Sequence, residues 1–250
     1  MTVAEGEGLI RSRPLAWIVE AAATRPLDVV IPLGIFAGAS TLYVRTMTPG
    51  LGGGIDSAEF QHAAYDLSIV HPTGYPLYLL LTRVFIAFVP FGEVAWRVNL
   101  LSARFCAAAI ALVYLITKEL SGSRLAGVFA AGLAATHPLI WQQATIAEVN
   151  SLNLLLIAAL MYALLRWARE SPDERGPPLE VAGLLLGLAL ANHRVSLLAL
   201  PGVILFIAWV VRDGRRLSLV GAARTVGATL LPLLLYLYIP LRAGTTDWYS

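Results

Sequence analysis

The sequence predicts an all-α integral membrane protein with about seven transmembrane helices. Hydrophobic residues make up 58% of the 250 residues and charged residues only 14%, whereas soluble domains carry about 25% charged residues. The mean hydropathy is +0.71. The apolar residues form repeated runs long enough to cross a bilayer, not the short alternating segments of a β-barrel. The single cysteine, Cys106, lies within one of these runs, which rules out a disulfide framework.

Seven apolar runs are predicted to span the membrane, and they are 27–46, 98–120, 125–141, 152–167, 179–191, 195–211 and 217–241. A further run, 75–91, is also long enough, but Arg83 interrupts it and Pro90 closes it. If this run lies along the membrane surface, the loop cations fall on the cytoplasmic side, as the positive-inside rule requires. Those cations are Arg11, Arg13, Arg25, Lys118, Arg124, Arg166, Arg169, Arg175, Arg212, Arg215 and Arg216.

This topology divides the chain into a cytoplasmic segment, 1–26, and a transmembrane domain, 27–250. Residues 48–96 become one external loop that holds two interfacial helices. All four histidines, His62, His71, His137 and His193, then fall on the external side. External charge therefore indicates a functional site, whereas cytoplasmic charge is explained by topology alone.

The external loop concentrates charge that is rare elsewhere in the chain. In a helix that begins at Ser57, the side chains of Asp56, Glu59 and His62 recur every three residues and share one face. Asp56 and Glu59 also fit a capping box, with Asp56 at the N-cap and Glu59 at the third helical position. We expect that capping geometry to form. A capped helix start would still hold a carboxylate rigidly enough for chemistry.

Glu148 and Arg194 are the other strong candidates for the site. Glu148 begins a span, where the helix dipole favours a carboxylate, although Asn150 beside it also suggests a polar cavity. Arg194 follows a run of about 13 residues that is short for a bilayer. An arginine at the lipid boundary must pair or face water, and guanidinium matches phosphate oxygens well. Phosphate or carboxylate binding at His193 and Arg194 is therefore favoured over simple snorkelling.

Several further residues near the external surface leave their role or their partner open. Arg242 is either an interfacial anchor or a ligand of the substrate. Arg104 lies about two turns below the external surface and needs a partner, for which Asp56 and Glu148 are candidates. Tyr75 contributes either to an aromatic belt or to stacking on a sugar ring, as do Tyr65, Tyr78 and Trp96.

Several chemistries lack their sequence signals. Glu59-x-x-His62 is half of a di-iron pair without a second half, and the histidines do not have zinc-type spacing. We therefore predict neither a metal nor a cofactor. The chain has no Walker or dinucleotide-binding motif and no basic patch with interleaved aromatics, so nucleic acid is not a predicted partner.

Five ordered motifs, at 56–60, 71–78, 95–103, 147–153 and 192–196, resemble the bacterial relatives of the transmembrane-type protein O-mannosyltransferases. These enzymes belong to the GT-C superfamily, whose members take a sugar from a polyprenyl-phosphate carrier outside the cytoplasmic membrane. The resemblance covers about residues 27–248. Arg104 stands where an apolar residue is more usual. Family members also continue beyond the position of Ser250, so the chain is either a minimal member or lacks a C-terminal part.

The resemblance implies a role for each site residue. Asp56 resembles the catalytic base, and Glu59 a helper or acceptor-binding residue. Arg194 resembles the ligand of the carrier phosphate, with His193 beside it. The remaining predicted substrate-binding residues are His71, Tyr75, Glu148 and Arg242.

The predicted function is transfer of mannose or another hexose from a polyprenyl-phosphate carrier to an external acceptor hydroxyl. The acceptor is a protein serine or threonine, or a glycan. The active site would face the outside of the inner (plasma) membrane, with the bilayer as the remaining partner. The alternative is a polytopic transporter or carrier-lipid flippase, which would show an internal repeat and charges near the middle of the bilayer.

Overall fold

The computed structural model describes residues 26–169 and 178–244, and every regular element within these ranges is helical. The α-helices are α1 (Leu27–Thr46), α2 (Ser57–Asp66), α3 (Pro76–Phe88), α4 (Val94–Ser121), α5 (Arg124–Thr136), α6 (Pro138–Thr145), α7 (Val149–Arg169), α8 (Leu179–Asn192), α9 (Leu200–Arg212), α10 (Leu219–Leu230) and α11 (Tyr238–Arg242). Two 3-10 helices, Arg194–Ala199 and Leu231–Leu237, lead into α9 and α11. The all-α prediction is confirmed. The predicted cytoplasmic segment 1–26 lies almost wholly outside the described residues, as does Arg175.

Five helical segments are long and apolar enough to cross a membrane, which makes the chain a multi-pass membrane protein. They are Leu27–Thr46, Val94–Ser121, Val149–Arg169, Arg194–Arg212 and Leu219–Arg242, and each coincides with a predicted span. The predicted run 125–141 is not one helix. It divides at His137, whose backbone is extended because Pro138 follows it. The other remaining run forms the 14-residue α8, so the seven-span arrangement stays a prediction.

The loop between α1 and α4 contains the two predicted helices, α2 and α3. Both pack against α4. Arg97 of α4 donates hydrogen bonds to the carbonyl oxygens of Ile86 (2.8 Å) and Val89 (2.9 Å). The last carbonyls of a helix have no partner within the helix, so Arg97 fastens the end of α3 to α4. The placement of α2 and α3 in the membrane interface stays a prediction.

A buried pair of amide side chains fixes α2 on α4. Gln61 and Asn99 are both nearly inaccessible to solvent, and the Gln61 amide donates to the Asn99 oxygen at 2.9 Å. Gln61 also accepts from the backbone N–H of Gly52, while Asn99 donates to the Thr48 carbonyl. Buried amides of this kind are costly unless their partners are present. The network therefore fixes the loop that leads into α2.

The opposite end of the bundle holds an ion-pair cluster. The Asp28 carboxylate of α1 lies 2.7 Å from the Lys118 ammonium of α4 and 2.9 Å from the Arg124 guanidinium of α5. It thus joins the ends of three helices. Lys118 and Arg124 are two of the cations that the positive-inside rule assigns to the cytoplasm.

Candidate active site

The helix α2 begins with a carboxylate that does not cap it. The Asp56 side chain makes no capping hydrogen bond, so the predicted capping box is wrong. The Asp56 backbone lies in the helical region, whereas an N-cap residue is usually extended, and the Glu59 carboxylate contacts His71 instead. The Asp56 carboxylate is half-buried and remains available for other chemistry.

The Glu59 carboxylate forms two hydrogen bonds with His71. One carboxylate oxygen accepts from the His71 backbone N–H at 2.8 Å, and the other lies 2.6 Å from the ring Nδ1. A carboxylate can only accept, so the hydrogen of this second bond resides on Nδ1. Both side chains are largely shielded from water, with exposures of 18% for Glu59 and 32% for His71. The pair fixes the loop after α2 against the start of that helix.

Aromatic rings hold the His71 imidazole in place. Its ring centre lies 5.7 Å from that of Phe60 and 5.1 Å from that of Tyr75. Tyr75 has a left-handed backbone, with φ at 42°, a conformation that costs energy for a residue with a side chain. Tyr78, one helical turn on, is fully buried. Tyr75 and Tyr78 therefore belong to the site and the core and do not form an aromatic belt.

Glu148 lies where α7 begins. Its backbone N–H donates to the Ser102 hydroxyl at 3.2 Å, and one carboxylate oxygen accepts from the Asn150 amide at 3.1 Å. Burial raises the pKa of the Glu148 carboxyl above its ordinary value, and the nearby charge of Asp56 raises it further. Ser102 also contacts the Tyr78 hydroxyl at 3.2 Å. Glu148 thus lies close enough to Asp56 for the two carboxylates to interact.

The segment Asn192-His193-Arg194 is fastened to the start of α7. Asn192 is fully buried and donates to the Val149 carbonyl at 3.1 Å. The Ser196 hydroxyl donates to the Asn153 side chain at 2.6 Å. These two bonds hold the segment that contains His193 and Arg194 against the first turns of α7, and Arg194 is exposed.

The Tyr75 hydroxyl marks the point where the charges of the site converge. Burial raises the pKa of the Tyr75 phenol, and the charge of Arg194 lowers it. Three carboxylates raise that pKa further, those of Asp56, Glu148 and Glu59. The Tyr75 ring also lies 5.5 Å from the His193 ring. The structure therefore brings together seven of the eight predicted site residues, which are Asp56, Glu59, His71, Tyr75, Glu148, His193 and Arg194.

Arg242, the eighth predicted residue, lies at the other end of α2. Its guanidinium donates to the carbonyl oxygens of Leu67 (2.7 Å) and Asp66 (3.0 Å). The Tyr238 hydroxyl donates nearby, to the Ser68 carbonyl at 2.9 Å. These contacts tie the last described helix to the end of α2. They position the site helix, and a role of Arg242 in substrate binding stays a prediction.

Two other predicted charges also lie apart from the cluster. His62 pairs with Asp66 at 3.0 Å on the exposed side of α2. Arg104 is half-buried in α4. Among the residues that the structure describes, neither Asp56 nor Glu148 forms an ion pair with it. The predicted pairing of Arg104 with Asp56 or Glu148 is therefore not formed among the described residues.

One group of side chains has the composition of a cation site. Donor atoms of Asp56, Glu59 and His71 all lie within 4.8 Å of one another. Glu59 and His71 already bond to each other through Oε2 and Nδ1, and a bound cation would have to use their remaining lone pairs. The prediction that no metal is needed stays a prediction.

A cavity adjoins the carboxylate cluster on the outer side of α2. It measures about 460 Å³ and lies between α2, the start of α4 and Leu51. Ala58, Glu59 and Tyr65 form its α2 wall. Glu59, which bonds to His71 on one side, therefore also lines this cavity.

Comparison with known proteins identifies the family. A family model described as the Protein O-mannosyl-transferase TMEM260 N-terminal domain matches residues 56–215. The matched region is well over half of the chain, and it includes all seven clustered site residues. The chain belongs to this family. The predicted relation to O-mannosyltransferases is thus confirmed, while the GT-C assignment and the bacterial branch stay predictions.

Two named relatives of this TMEM260 family agree with that assignment. The chain is 35% identical over 210 residues to Protein O-mannosyl-transferase TMEM260 of Mus musculus, a match that covers 84% of this chain and 30% of the mouse protein. It is 29% identical over 130 residues to Protein O-mannosyl-transferase tmem260 of Dictyostelium discoideum, covering 51% of this chain and 16% of that protein. The chain spans less than a third of the length of these curated relatives. No solved structure matches it.

Proposed function

We propose that this chain carries the catalytic centre of a GT-C-type membrane mannosyltransferase. It would move mannose from a polyprenyl-phosphate carrier to a serine or threonine hydroxyl of a protein. The observation that carries the proposal is the Asp56 carboxylate, which makes no capping bond and lies beside Glu59 and His71. The names of the two relatives, both protein O-mannosyl-transferases, favour mannose and a protein acceptor.

In the proposed reaction Asp56 is the general base. The acceptor oxygen bonds to the anomeric carbon of the sugar while the bond from that carbon to the phosphate oxygen breaks. A hydroxyl is a weak nucleophile until it loses its proton, and that proton passes to the Asp56 carboxylate. A positioned general base typically contributes about 10²–10⁴-fold to the rate. The polyprenyl phosphate leaves with the electron pair of the broken bond.

Arg194 stabilises the leaving phosphate in this scheme. Its guanidinium is exposed and permanently charged, and it can form two parallel hydrogen bonds to a phosphate group. It lies at the start of the segment Arg194–Arg212, which is long enough to cross a membrane. A carrier held here by its phosphate can keep its isoprenoid tail in lipid.

An apolar cavity below Arg194 supports this placement of the tail. It measures about 320 Å³ and lies between α7 and the segment that begins at Arg194. Met161, Gly202 and Phe206 are among the side chains that line it. Aliphatic and aromatic walls suit an isoprenoid chain, because burial of apolar surface is favourable and needs no polar partner.

The acceptor would approach from the other side, through the 460 Å³ cavity beside α2. That cavity has room for a side chain and the adjoining peptide backbone. Its route past Glu59 would bring the acceptor hydroxyl to Asp56. The donor and the acceptor would then meet near Tyr75, where the charges of the site converge.

We place this site on the external face of the cytoplasmic membrane. The basic residues Lys118 and Arg124 lie at the opposite end of the bundle from Asp56 and pair there with Asp28. The positive-inside rule assigns their end to the cytoplasm. The same rule therefore directs the end of the bundle that holds Asp56 toward the outside.

The proposed function is tested with purified protein, a polyprenyl-phosphate [¹⁴C]mannose and a peptide rich in serine and threonine. We expect label to enter the peptide in a linkage that β-elimination releases. A nucleotide-linked mannose should give no labelled peptide. Transfer from the nucleotide sugar, or from neither donor under conditions where both lipid and peptide bind, would contradict the proposal.

A further inference from the structure

The loop between α2 and α3, residues 67–75, carries His71 and Tyr75 into the candidate site. The last described helix, α11, lies against this loop. Three side chains of α11 contact the loop or the end of α2 beside it, and we call them the clasp: Tyr238, Ile239 and Arg242. All three lie beyond residue 215, where the family match ends. The clasp therefore brings a later part of the chain to the site region.

Arg242 completes the end of α2. Leu67 has a left-handed backbone, with φ at 54°, and ends the helix. Carbonyl groups at the end of a helix lack partners within the helix. Arg242 donates to two of them, those of Leu67 at 2.7 Å and Asp66 at 3.0 Å. A positive charge is also favourable at this end of a helix because of the helix dipole. Arg242 thus fixes the point at which the loop leaves α2.

Tyr238 and Ile239 hold the loop on either side of His71. The Tyr238 hydroxyl donates to the Ser68 carbonyl at 2.9 Å. Three residues after His71, Gly74 closes a turn, because its N–H donates to the His71 carbonyl at 2.9 Å. Gly74 has φ at 86°, a conformation that suits glycine. A Cβ atom at this position would lie only 2.8 Å from Cδ1 of Ile239. Ile239 therefore packs directly on the turn that holds His71.

The position of His71 in turn affects the carboxylates of the site. Glu59 accepts from the His71 backbone N–H at 2.8 Å and contacts its Nδ1 at 2.6 Å. Donor atoms of Asp56, Glu59 and His71 lie within 4.8 Å of one another. A shift of the loop would therefore change the geometry around Asp56. A misplacement of about 1 Å at a reacting group can cost about a hundredfold in rate.

We propose that the clasp is a positioning device, in which Arg242, Tyr238 and Ile239 act through the loop 67–75 and set where His71 lies relative to Asp56. This proposal rests on the proposed function, because it assigns the clasp an effect on the rate of the same reaction. Arg242 is then a positioning residue and not a ligand of the substrate. The ten-residue α2 separates its two ends by about 15 Å. A hydroxyl or phosphate group in contact with Asp56 is therefore out of reach of the guanidinium.

Steady-state kinetics of purified full-chain variants separate positioning from substrate binding. Arg242→Ala should lower kcat for mannose transfer about tenfold or more, and the KM values of the lipid donor and the peptide should stay within about twofold of wild type. Tyr238→Phe, which loses one hydrogen bond, should lower kcat by a smaller factor. The matched control is Arg224→Ala, because Arg224 is an exposed arginine near the other end of the same segment, Leu219–Arg242.

Chemical rescue gives a second kinetic readout. Added guanidinium ion can occupy the space of the missing side chain and donate to the same carbonyl groups. It should restore part of kcat in Arg242→Ala without changing either KM, and it should not raise kcat in Arg224→Ala. A tenfold rise in the KM of one substrate with kcat unchanged would make Arg242 a ligand and overturn the inference.

Nitrogen-15 NMR of labelled histidine tests the same inference without mannose transfer, with His71→Gln used to assign the resonances. The Nδ1–H resonance of His71 should move in Arg242→Ala and in Tyr238→Phe but not in Arg224→Ala. If Arg242→Ala does not fold, Tyr238→Phe alone decides the outcome. An unmoved resonance, or a moved resonance with kcat unchanged, would overturn the inference. Moved resonances in a protein whose wild type transfers no mannose would overturn the proposed function and leave the positioning of His71 by the clasp standing.

Discussion

The two-point contact between Glu59 and His71 predicts strong coupling between these residues. Glu59→Gln removes one of two acceptor oxygens and places an NH₂ group against a second donor. An amide keeps part of a carboxylate's hydrogen bonding, but here both carboxylate oxygens are in use, at 2.8 and 2.6 Å. A hydrogen bond to a charged group is worth about 1.5–3 kcal/mol. Because His71 is 32% exposed, we expect the lower end, a loss of about tenfold in kcat/KM.

A double-mutant cycle measures this coupling. We expect Glu59→Gln and His71→Ala each to lower kcat/KM, and the double variant to lose little more than the worse single variant. The matched control is the pair of His62 and Asp66 on the same helix. Because both side chains are exposed, the coupling energy from a cycle on this pair should stay below about 1 kcal/mol. If the loss of kcat/KM in the double variant equals the product of the two single losses, Glu59 does not act by holding His71.

Three further predictions follow from the phosphate ligand, the acceptor cavity and the perturbed carboxyl. Arg194→Lys should raise the KM for the lipid donor without changing that for the peptide, because an ammonium cannot form the paired bonds of guanidinium; equal donor KM values would remove Arg194 from the site. Ala58→Trp fills the cavity from an exposed position and should raise the KM for the peptide alone, whereas a change in donor KM would contradict the assignment. The raised pKa of Glu148 means that the folded chain still holds this proton at pH values where the unfolded chain has lost it. Glu148 therefore costs stability as the pH rises above about 4.3, its ordinary value. Glu148→Gln should raise the melting temperature at pH 7 but not at pH 4, and a gain that is equal at both would contradict the burial of that carboxyl.

The spans and the composition of the site were predictable because both depend on local pattern. Long apolar runs of bilayer length predicted the five long helices. Charge asymmetry predicted that the run 75–91 lies along the membrane surface, and this stays a prediction. The ordered motifs predicted that Asp56, Glu148 and Arg194 belong to one site. In the structure α8 returns beside α7, which places Arg194 near the start of α7.

The partners of individual side chains were not predictable in the same way. Gln61 and Asn99 lie 38 positions apart, and no spacing rule connects an amide in α2 with one in α4. The spacing of Asp56 and Glu59 predicted a capping box that does not form. Glu59 instead accepts two hydrogen bonds from His71, a residue that the local pattern does not include. Arg242 contacts α2 across 175 positions. Ser102 lies within the motif 95–103, but no local pattern predicted its contacts with Glu148 and Tyr78.

The central claim is that Asp56 takes the proton of the acceptor, and one pair of variants tests it most directly. Asp56→Asn removes the basic carboxylate at a position that makes no capping bond, so the melting temperature should stay close to that of wild type. Asp66→Asn, on the same helix and away from the cluster, is the matched control.

The measurement is the rate of mannose transfer from a polyprenyl-phosphate donor to a peptide, with a melting curve for each purified variant. We predict that Asp56→Asn lowers the rate by at least about a hundredfold, while Asp66→Asn stays within a few-fold of wild type. Transfer by Asp56→Asn at the rate of the Asp66→Asn control would contradict the assignment of Asp56 as the base.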